Sequence, residues 1–390
     1  MTRLAILASH PIQYYAPLFR ELARRIDLTV FYAHNATAQD QARAGFGVGF
    51  TWDVDLLSGY DHVFLGNVSR KPGLGRFSGV DTPEIGQRLS EGRFDALLVM
   101  GWYLKSFIQG LVSAKLSGIP VMVRGDSHLD TPRNALKLMA KRVLYPRFLG
   151  QFDAALVVGK RNRAYWEYYG YPQNRMFDAP HCIDNAFFAD LATQDARMML
   201  RRDLGVPADA KLAMMAGKLI PLKRPVDLVE AVAKSRQDGV NAHVLVAGSG
   251  PLEEHVRARC SELGVPLHLL GFCNQTQMPA AYAAADVLVM CSESETWGLV
   301  VNEALASGTP ALVSDVVGCA PDLLEALGPR AVFQLGDIDD LAAKLKNVFE
   351  APPSDQEIIG AANRFDLGAV ADRIVAAAKL QSKNSKCVGK

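Results

Sequence analysis

A chain of 390 residues, 49% hydrophobic and 21% charged, is long enough for two domains of ordinary size, each with its own core. That composition excludes a disordered chain, and a formal net charge of +1 argues against a nucleic-acid partner. No apolar run approaches the ~18–20 residues that cross a bilayer, and the chain enters a strand at Leu4-Ala-Ile-Leu7 without the layout of a signal peptide. The charge is uneven. Residues 1–180 carry 22 Lys and Arg against 15 Asp and Glu, a net of +7, while the remainder carries 20 against 26, a net of −6. A basic amino half and an acidic carboxyl half suggest two domains with different partners.

Taken in chain order, short apolar runs alternate with helical stretches. In the first half they are Leu4–Ala8, Leu28–Ala33, Ala96–Met100, Val121–Arg124 and Ala154–Val158. In the second they are Leu212–Ala216, His243–Ala247, Leu267–Leu270, Val287–Met290 and Ala311–Ser314. Continuous apolar runs predict strands buried on both faces, hence parallel sheets covered by helices, and two such series predict two doubly wound α/β domains. Turn formers from Tyr171 through Asn185 place a boundary near 180–190, giving domains of 1–182 and 183–365. Asp366–Leu380 reads as one more amphipathic helix, and the polar residues Gln381–Lys390 as a frayed tail, so 366–390 stands apart. The six cysteines (182, 260, 273, 291, 319 and 387) have neither C-x-x-C nor metal spacing and read as buried apolar residues in a reducing compartment.

Three segments at strand ends carry polar chemistry. Ser292-Glu-Ser-Glu-Thr-Trp-Gly-Leu-Val-Val-Asn-Glu-Ala-Leu-Ala-Ser-Gly-Thr-Pro310 follows a buried strand, sets Glu295 on a loop, and sets Glu303 on the helix after Gly298. The first-turn amides of that helix, near Gly298, Leu299 and Val300, favour an anion such as a phosphate. Gly217-Lys218-Leu-Ile-Pro-Leu-Lys223-Arg224-Pro puts two lysines on one loop, and Gly248-Ser-Gly250-Pro251 is a tight turn into a helix. As a glycosidase pair Glu295 and Glu303 fail: eight residues along a helix axis is about 12 Å of rise, beyond the ~5–9.5 Å that hydrolysis uses.

These segments resemble the E-x7-E, G-R-x4-K and G-x-G-P elements of retaining glycosyltransferases of family 4 (glycosyl transferases group 1), which have the GT-B fold: two Rossmann-like domains facing across a cleft. The resemblance is close in the carboxyl half and loose in the amino half. It implies that Lys218 and Lys223 neutralise a donor diphosphate, that Gly248, Gly250, Gly298 and Leu299 bind it through backbone, and that Glu303 takes the ribose diol. Lys218 stands where the family has Arg, which replaces a bidentate fork by a point charge. Glu295 then faces the transferred sugar. In Val121-Met-Val-Arg-Gly-Asp126-Ser-His128 the resemblance assigns His128 to the donor sugar and Asp126 to a hydroxyl or the acceptor. Contacts to the base are expected from backbone around Gly271-Phe272.

The implied activity is retaining transfer of a sugar from a nucleotide-sugar donor, UDP- or GDP-linked, to a glycan or lipid-linked acceptor in cell-surface polysaccharide or glycolipid synthesis. Front-face attack needs no protein nucleophile, and no cofactor or metal ion is expected; Asp53-Val-Asp55 fits a metal motif but lies away from the donor elements. Ser9-His-Pro-Ile-Gln-Tyr14-Tyr15 resembles a bacterial subgroup, in which it reads as an acceptor-side wall; Trp52–Tyr60 also recurs in that subgroup, and Gly101-Trp102-Tyr103 offers rings for a sugar face or for the core. Arg133, Lys137, Lys141, Arg142 and Arg147 share a helical segment with Leu136, Met139, Val143 and Leu144. Such a helix packs its apolar side on the sheet or lies on an anionic membrane. The expected location is cytoplasmic, with peripheral contact at the inner membrane face. A GT-B sugar-nucleotide epimerase and a catalytically silent sugar-nucleotide-binding protein remain as alternatives.

Overall fold

Every apolar run forms a strand, and every strand pair is parallel. In the computed structural model, which describes residues 2–38, 49–129 and 135–388, the first sheet contains β1 (Arg3–Ala8), β2 (Asp27–Tyr32), β3 (Asp61–Phe64), β4 (Ala96–Val99), β5 (Val121–Arg124), β6 (Ala154–Val157) and β7 (Met176–Asp178). Its order is β3-β2-β1-β4-β5-β6-β7. The second contains β8 (Lys211–Ala216), β9 (Ala242–Ala247), β10 (Leu267–Gly271), β11 (Val287–Met290), β12 (Ala311–Ser314) and β13 (Val332–Phe333), in the order β10-β9-β8-β11-β12-β13. Helices connect the strands, giving the doubly wound α/β class twice. Three strands escape the sequence pattern. β3 and β7 are sheet-edge strands of four and three residues and β13 has two, so none carries a long apolar run.

Side chains alternate across the first sheet with period two. Leu4, Ile6, Val30, Leu98, Met122 and Leu156 pack into one core, and Leu7, Phe31, Val99, Val123 and Val157 into the other. The second sheet sets Ala213, Met215, Val244, Val246, Val289 and Leu312 in a core of its own. The five described cysteines, Cys182, Cys260, Cys273, Cys291 and Cys319, are free thiols.

Two compact units result. One comprises Met1–Thr37, Asp55–Cys182 and Leu367–Lys390, the other Ala38–Val54 and Ile183–Asp366. Residues 38–54 thus differ from the sequence-level division, which left them in the first domain. Within the second unit the Asp53 carboxylate accepts from Thr276 N–H at 3.3 and 3.2 Å, Asn274 Nδ2 donates to the Thr51 carbonyl at 2.8 Å, and the Phe50 ring lies 4.3 Å from that of Phe272. Asp55, in the first unit, accepts from the Leu57 and Ser58 amides at 3.0 and 3.1 Å. Both aspartates of the Asp-x-Asp string are therefore engaged by backbone, and no cluster of His, Cys, Asp and Glu able to hold a metal occurs among the described residues.

The last helix also differs from expectation. It runs unbroken over Leu367–Val388, so the segment after Gln381 is helical where fraying was expected. Gln381 and Ser382 are buried, and Ser382 Oγ lies 3.2 Å from Asp95 Oδ1, which pins the helix beyond its apolar stretch. Val370, Ala371, Ile374, Ala377 and Ala378 join the same core as β1 and β4, and Arg25 pairs with Asp372 at 2.9 Å. No helix among the described residues is long and apolar enough to cross a membrane. Removing the buried Ile374 side chain tests this packing: Ile374→Ala is expected to destabilise by about 2–5 kcal/mol, read from the urea midpoint at constant slope. A change below about 0.5 kcal/mol, the size of an ordinary surface substitution, would mean that the helix is not part of the core.

Candidate functional site

In the second sheet the strand order reverses between β8 and β11, and open parallel sheets bind ligands beside the carboxyl ends of the strands at such a point. Lys218 follows β8 after Gly217. Lys223 ends the short turn Pro221–Lys223, after which Arg224 takes a left-handed conformation (φ 46°) and Pro225 opens the next helix. The loop after β11 is tied to this turn by the Glu293 amide, which donates to the Leu222 carbonyl at 3.0 Å. The result is an ion pair between Lys223 Nζ and Glu295 Oε2, with 18% and 20% of the two side chains exposed. Burial pushes the Lys218 amine below its ordinary range, the Lys223 charge pushes the same way, and Glu295 opposes both. Two lysines expected to act together are thus close enough to repel, with one carboxylate holding them.

Gly298 caps the helix Leu299–Ala306 in a left-handed conformation (φ 100°) with no side-chain cap, so the first-turn amides of Leu299 and Val300 face whatever lies beyond the helix start. A Cβ at Gly298 would lie 3.2 Å from Met290 Sδ and 3.3 Å from Val317 Cγ1. On the next turn Glu303 is only 3% exposed. The Tyr282 hydroxyl donates to its Oε2 at 2.6 Å, and Gln275 also bonds the carboxylate. Burial dominates these bonds and raises the carboxyl to about 7.

The glycine turn also has a packing duty. A Cβ at Gly248 would meet the Gly217 carbonyl oxygen at 1.9 Å, and one at Gly250 the Leu219 carbonyl oxygen at 2.5 Å. Leu219 N–H donates to the Ser249 carbonyl and Leu252 N–H to the Leu219 carbonyl, each at 3.0 Å. These glycines admit the lysine loop itself. Gly271 bridges Gly248, which brings the 271–272 backbone to the same corner.

The first sheet reverses between β1 and β4, and a cavity of about 260 Å³ opens there within the first unit. Asp126 lines it, as do Ser9, Ile12, Tyr15, Trp102 and Tyr103. His128 is 2% exposed and is not among the lining residues. Trp102 is half core: its ring meets Trp166 at 5.6 Å and Phe152 at 6.5 Å. Tyr103 is 54% exposed and bonds Ser9 on the same wall. Sequence reasoning missed Arg124 and His181 on the cavity wall, and Tyr282 and Gln275 around Glu303. A cation closing an apolar strand was the available signal for Arg124.

On the basic helix, Ala135–Leu149, Arg133 lies outside the described residues, as does the Lys137 side chain. The expectation that its apolar side packs on the sheet is corrected: Met139, Val143 and Leu144 are 65%, 59% and 63% exposed, and it is Tyr145, Phe148 and Leu149 that face the core. Lys141 Nζ sits 4.3 Å from the Tyr145 ring centre.

The Glu303 carboxyl yields a pH prediction. Its folded-state value lies above the ordinary 4.5, so the stability it contributes is complete below about pH 4.5 and is lost as pH rises through about 7. In urea melts between pH 4.5 and 8, the wild-type protein is expected to lose up to about 3 kcal/mol relative to Glu303→Gln. Parallel pH curves for the two proteins would refute it.

Residues 197–365 match the family model described as glycosyl transferases group 1. An uncharacterized glycosyltransferase of Methanocaldococcus jannaschii is 36% identical over 126 residues, 32% of each chain. A D-inositol 3-phosphate glycosyltransferase of Corynebacterium efficiens is 40% identical over 126 residues, 30% of each chain. The chain thus aligns with about a third of the length of these relatives. The crystal structure of the Anabaena protein HepE in complex with UDP superposes with a TM-score of 0.73 at 15% identity, covering 97% of this chain and 100% of that one. Residues 197–365 are accordingly a glycosyl transferases group 1 domain, in a chain with the fold of the GT-B glycosyltransferases.

Proposed function

We propose that this protein is a retaining glycosyltransferase of the family-4 type, moving a sugar from a nucleotide-sugar donor held by the second unit to an acceptor held by the first. The observation that carries this reading is the meeting of Lys218, Lys223, Glu295 and an uncapped helix start at one sheet reversal. Lys223 Nζ has three N–H groups and spends one on Glu295, leaving two for phosphate oxygens. As the sugar–phosphate bond lengthens, negative charge grows on the diphosphate, and lysines plus helix amides stabilise it without a metal ion. Glu303, ionised above about pH 7, offers two acceptor oxygens to a ribose diol. Glu295, fixed by Lys223, presents its second oxygen to the hydroxyls of the transferred sugar. His128 and Asp126 retain the expected roles toward donor sugar and acceptor as part of this proposal.

A UDP-linked donor is favoured, because HepE was solved with UDP. The C. efficiens relative is named for D-inositol 3-phosphate, which fits a phosphorylated or lipid-linked acceptor in glycolipid synthesis. The outward Met139, Val143 and Leu144, beside Lys141 and Arg142, support peripheral contact with an anionic membrane at the cytoplasmic face. The epimerase and silent-binder alternatives find no observation in their favour.

The test is a thermal-shift series with UDP, GDP and ADP and their sugar conjugates, with and without EDTA. A shift with UDP ligands, unaffected by EDTA and reduced about tenfold in apparent affinity by Glu303→Ala, is the expected result. Lys223→Ala should lower kcat by about 10²–10³-fold with a smaller effect on donor binding. Turnover of Lys223→Ala at the parental rate would refute the diphosphate assignment, and no shift with any nucleotide would refute the donor site.

A further inference from the structure

We propose that Asp53 and Asn274 are positioning residues for the nucleotide site: together they fix the loop that carries Gln275, and through Gln275 the carboxylate of Glu303. The proposal rests on the transferase reading in one respect, that Glu303 is the ribose ligand. Both protein donors to Glu303 come from one stretch, 275–282. Tyr282 belongs to the helix Met278–Ala284 and is fully buried, and its carbonyl accepts from Thr309 Oγ1 at 2.8 Å, so the core fixes it. Gln275 lies on the loop between β10 and that helix and is 8% exposed. What holds this loop comes from far away in sequence. Asn274 Nδ2 donates to the Thr51 carbonyl at 2.8 Å, and Asn274 Oδ1 accepts from the Gln275 amide at 2.9 Å and lies 3.5 Å from the Asp53 amide nitrogen. On the other side of Gln275, the Thr276 amide donates to the Asp53 carboxylate at 3.3 and 3.2 Å, and the Thr276 hydroxyl donates to the same group. Residues 51 and 53 thus grip both neighbours of Gln275. The Phe50 ring, 4.3 Å from that of Phe272 and 4.9 Å from that of Trp52, adds apolar cover.

Asp53 and Thr276 are exposed, so each of their bonds is weak by itself. Their effect lies in where they act, because a long side chain reaches its partner only from a backbone held in place. A carboxylate has about four acceptor sites. Tyr282 and Gln275 occupy two and leave the rest to the two hydroxyls of a ribose. These donors also keep the group charged, since burial pushes the Glu303 carboxyl up to about 7 and both bonds oppose that push. The helices Asn185–Leu191, Met278–Ala284 and Asp355–Asn363, together with β12, pack against the helix of Glu303. Of the titratable groups they carry, Asp190, Tyr282, Asp355 and Glu357, Tyr282 alone acts on the carboxyl among the described residues. A loop that carries Gln275 away leaves burial less opposed, and the carboxyl then takes its proton at a higher pH. Once protonated, it gives up acceptor capacity that the ribose would use. Loss of the grip therefore lowers nucleotide affinity most near neutral pH and least at alkaline pH, whereas a structural disturbance lowers it evenly.

The experiment uses the full chain as wild type, Asp53→Ala, Asp53→Asn, Gln275→Leu and Glu303→Ala. Isotope-labelled glutamate carboxyls report the Glu303 titration by NMR, the signal being identified by its absence from Glu303→Ala. UDP is titrated into each protein from about pH 6 to about pH 9, which spans the carboxyl's range. Asp53→Ala and Gln275→Leu are expected to raise the Glu303 midpoint and to weaken UDP about three- to tenfold at neutral pH, with the loss shrinking toward the alkaline end. Asp53→Asn keeps an acceptor for the Thr276 amide and is expected to stay within about twofold of wild type. The same Glu303 midpoint in Asp53→Ala and wild type overturns the proposal, and so does a loss of UDP affinity that is constant across pH. UDP binding that Glu303→Ala leaves intact, with the midpoint still moved by Asp53→Ala, sinks the ribose assignment and leaves the positioning in place. UDP binding that Glu303→Ala weakens and Asp53→Ala does not touch sinks this inference and leaves the donor site standing.

Discussion

A strand covered on both faces tolerates no charge along its length, and this single constraint places the chemistry of both units. β4, β6 and β11 are apolar throughout and fully buried, so polar groups are relegated to the residues just beyond the carboxyl ends. Where the strand order reverses, connections on the two sides depart in opposite directions and leave a crevice that those residues line. Lys218 and Glu295 stand at one such crevice, Ser9 and Asp126 at the other. Arg124 is the instructive exception: it is still within its strand, and it survives there because the backbone carbonyls of Ala179 and Pro180 turn toward it.

The lysine loop of the second unit is held by backbone. Gly217 through Leu219 lies so close to Gly248 and Gly250 that no side chain fits between, and the hydrogen bonds at Ser249 and Leu252 lock the register. A second close approach, between Gly318 and the Thr296 carbonyl oxygen, positions the loop that carries Glu295. Lysines are long and flexible, and a fixed backbone beneath them limits how far their charges wander. The Lys223–Glu295 pair then restricts one of them further. Precision in this corner comes from glycines that touch each other, with the charged side chains only finishing the job.

Much of this was legible in the residues. Apolar runs marked ten of the strands because burial on both faces leaves a signal at every position. Glu295 and Glu303 were legible as a pair because their spacing straddles a helix start. What escaped has a common physical cause, which is contact between residues distant in sequence. Tyr282 and Gln275 meet Glu303 across more than one element, and nothing local to either announces it. The lysine loop and the glycine turn touch each other, a contact that neither segment announces by itself. The burial of His128 beside a cavity-lining Asp126 was not legible either, because a short polar segment after a strand can send one side chain to a cavity and bury another. The outward apolar residues of Ala135–Leu149 were mistaken for core because periodicity alone does not say which apolar face finds a sheet.

The helix Leu367–Val388 returns across the second unit's sequence to pack on the first sheet. The core of the first unit takes Val370, Ile374 and Ala378 against Leu4, Ile6 and Leu98, residues far apart in sequence. The second unit, apart from Ala38–Val54, is one uninterrupted stretch from Ile183 to Asp366 and is made in full before that helix exists. Emerging from the ribosome, the nascent polypeptide therefore holds its second unit in full while the first sheet still lacks the helix Leu367–Val388 against one of its faces. During that interval Leu4, Ile6 and Leu98 lack the cover of Val370, Ile374 and Ala378, so the first unit reaches its full stability only after the second has been made.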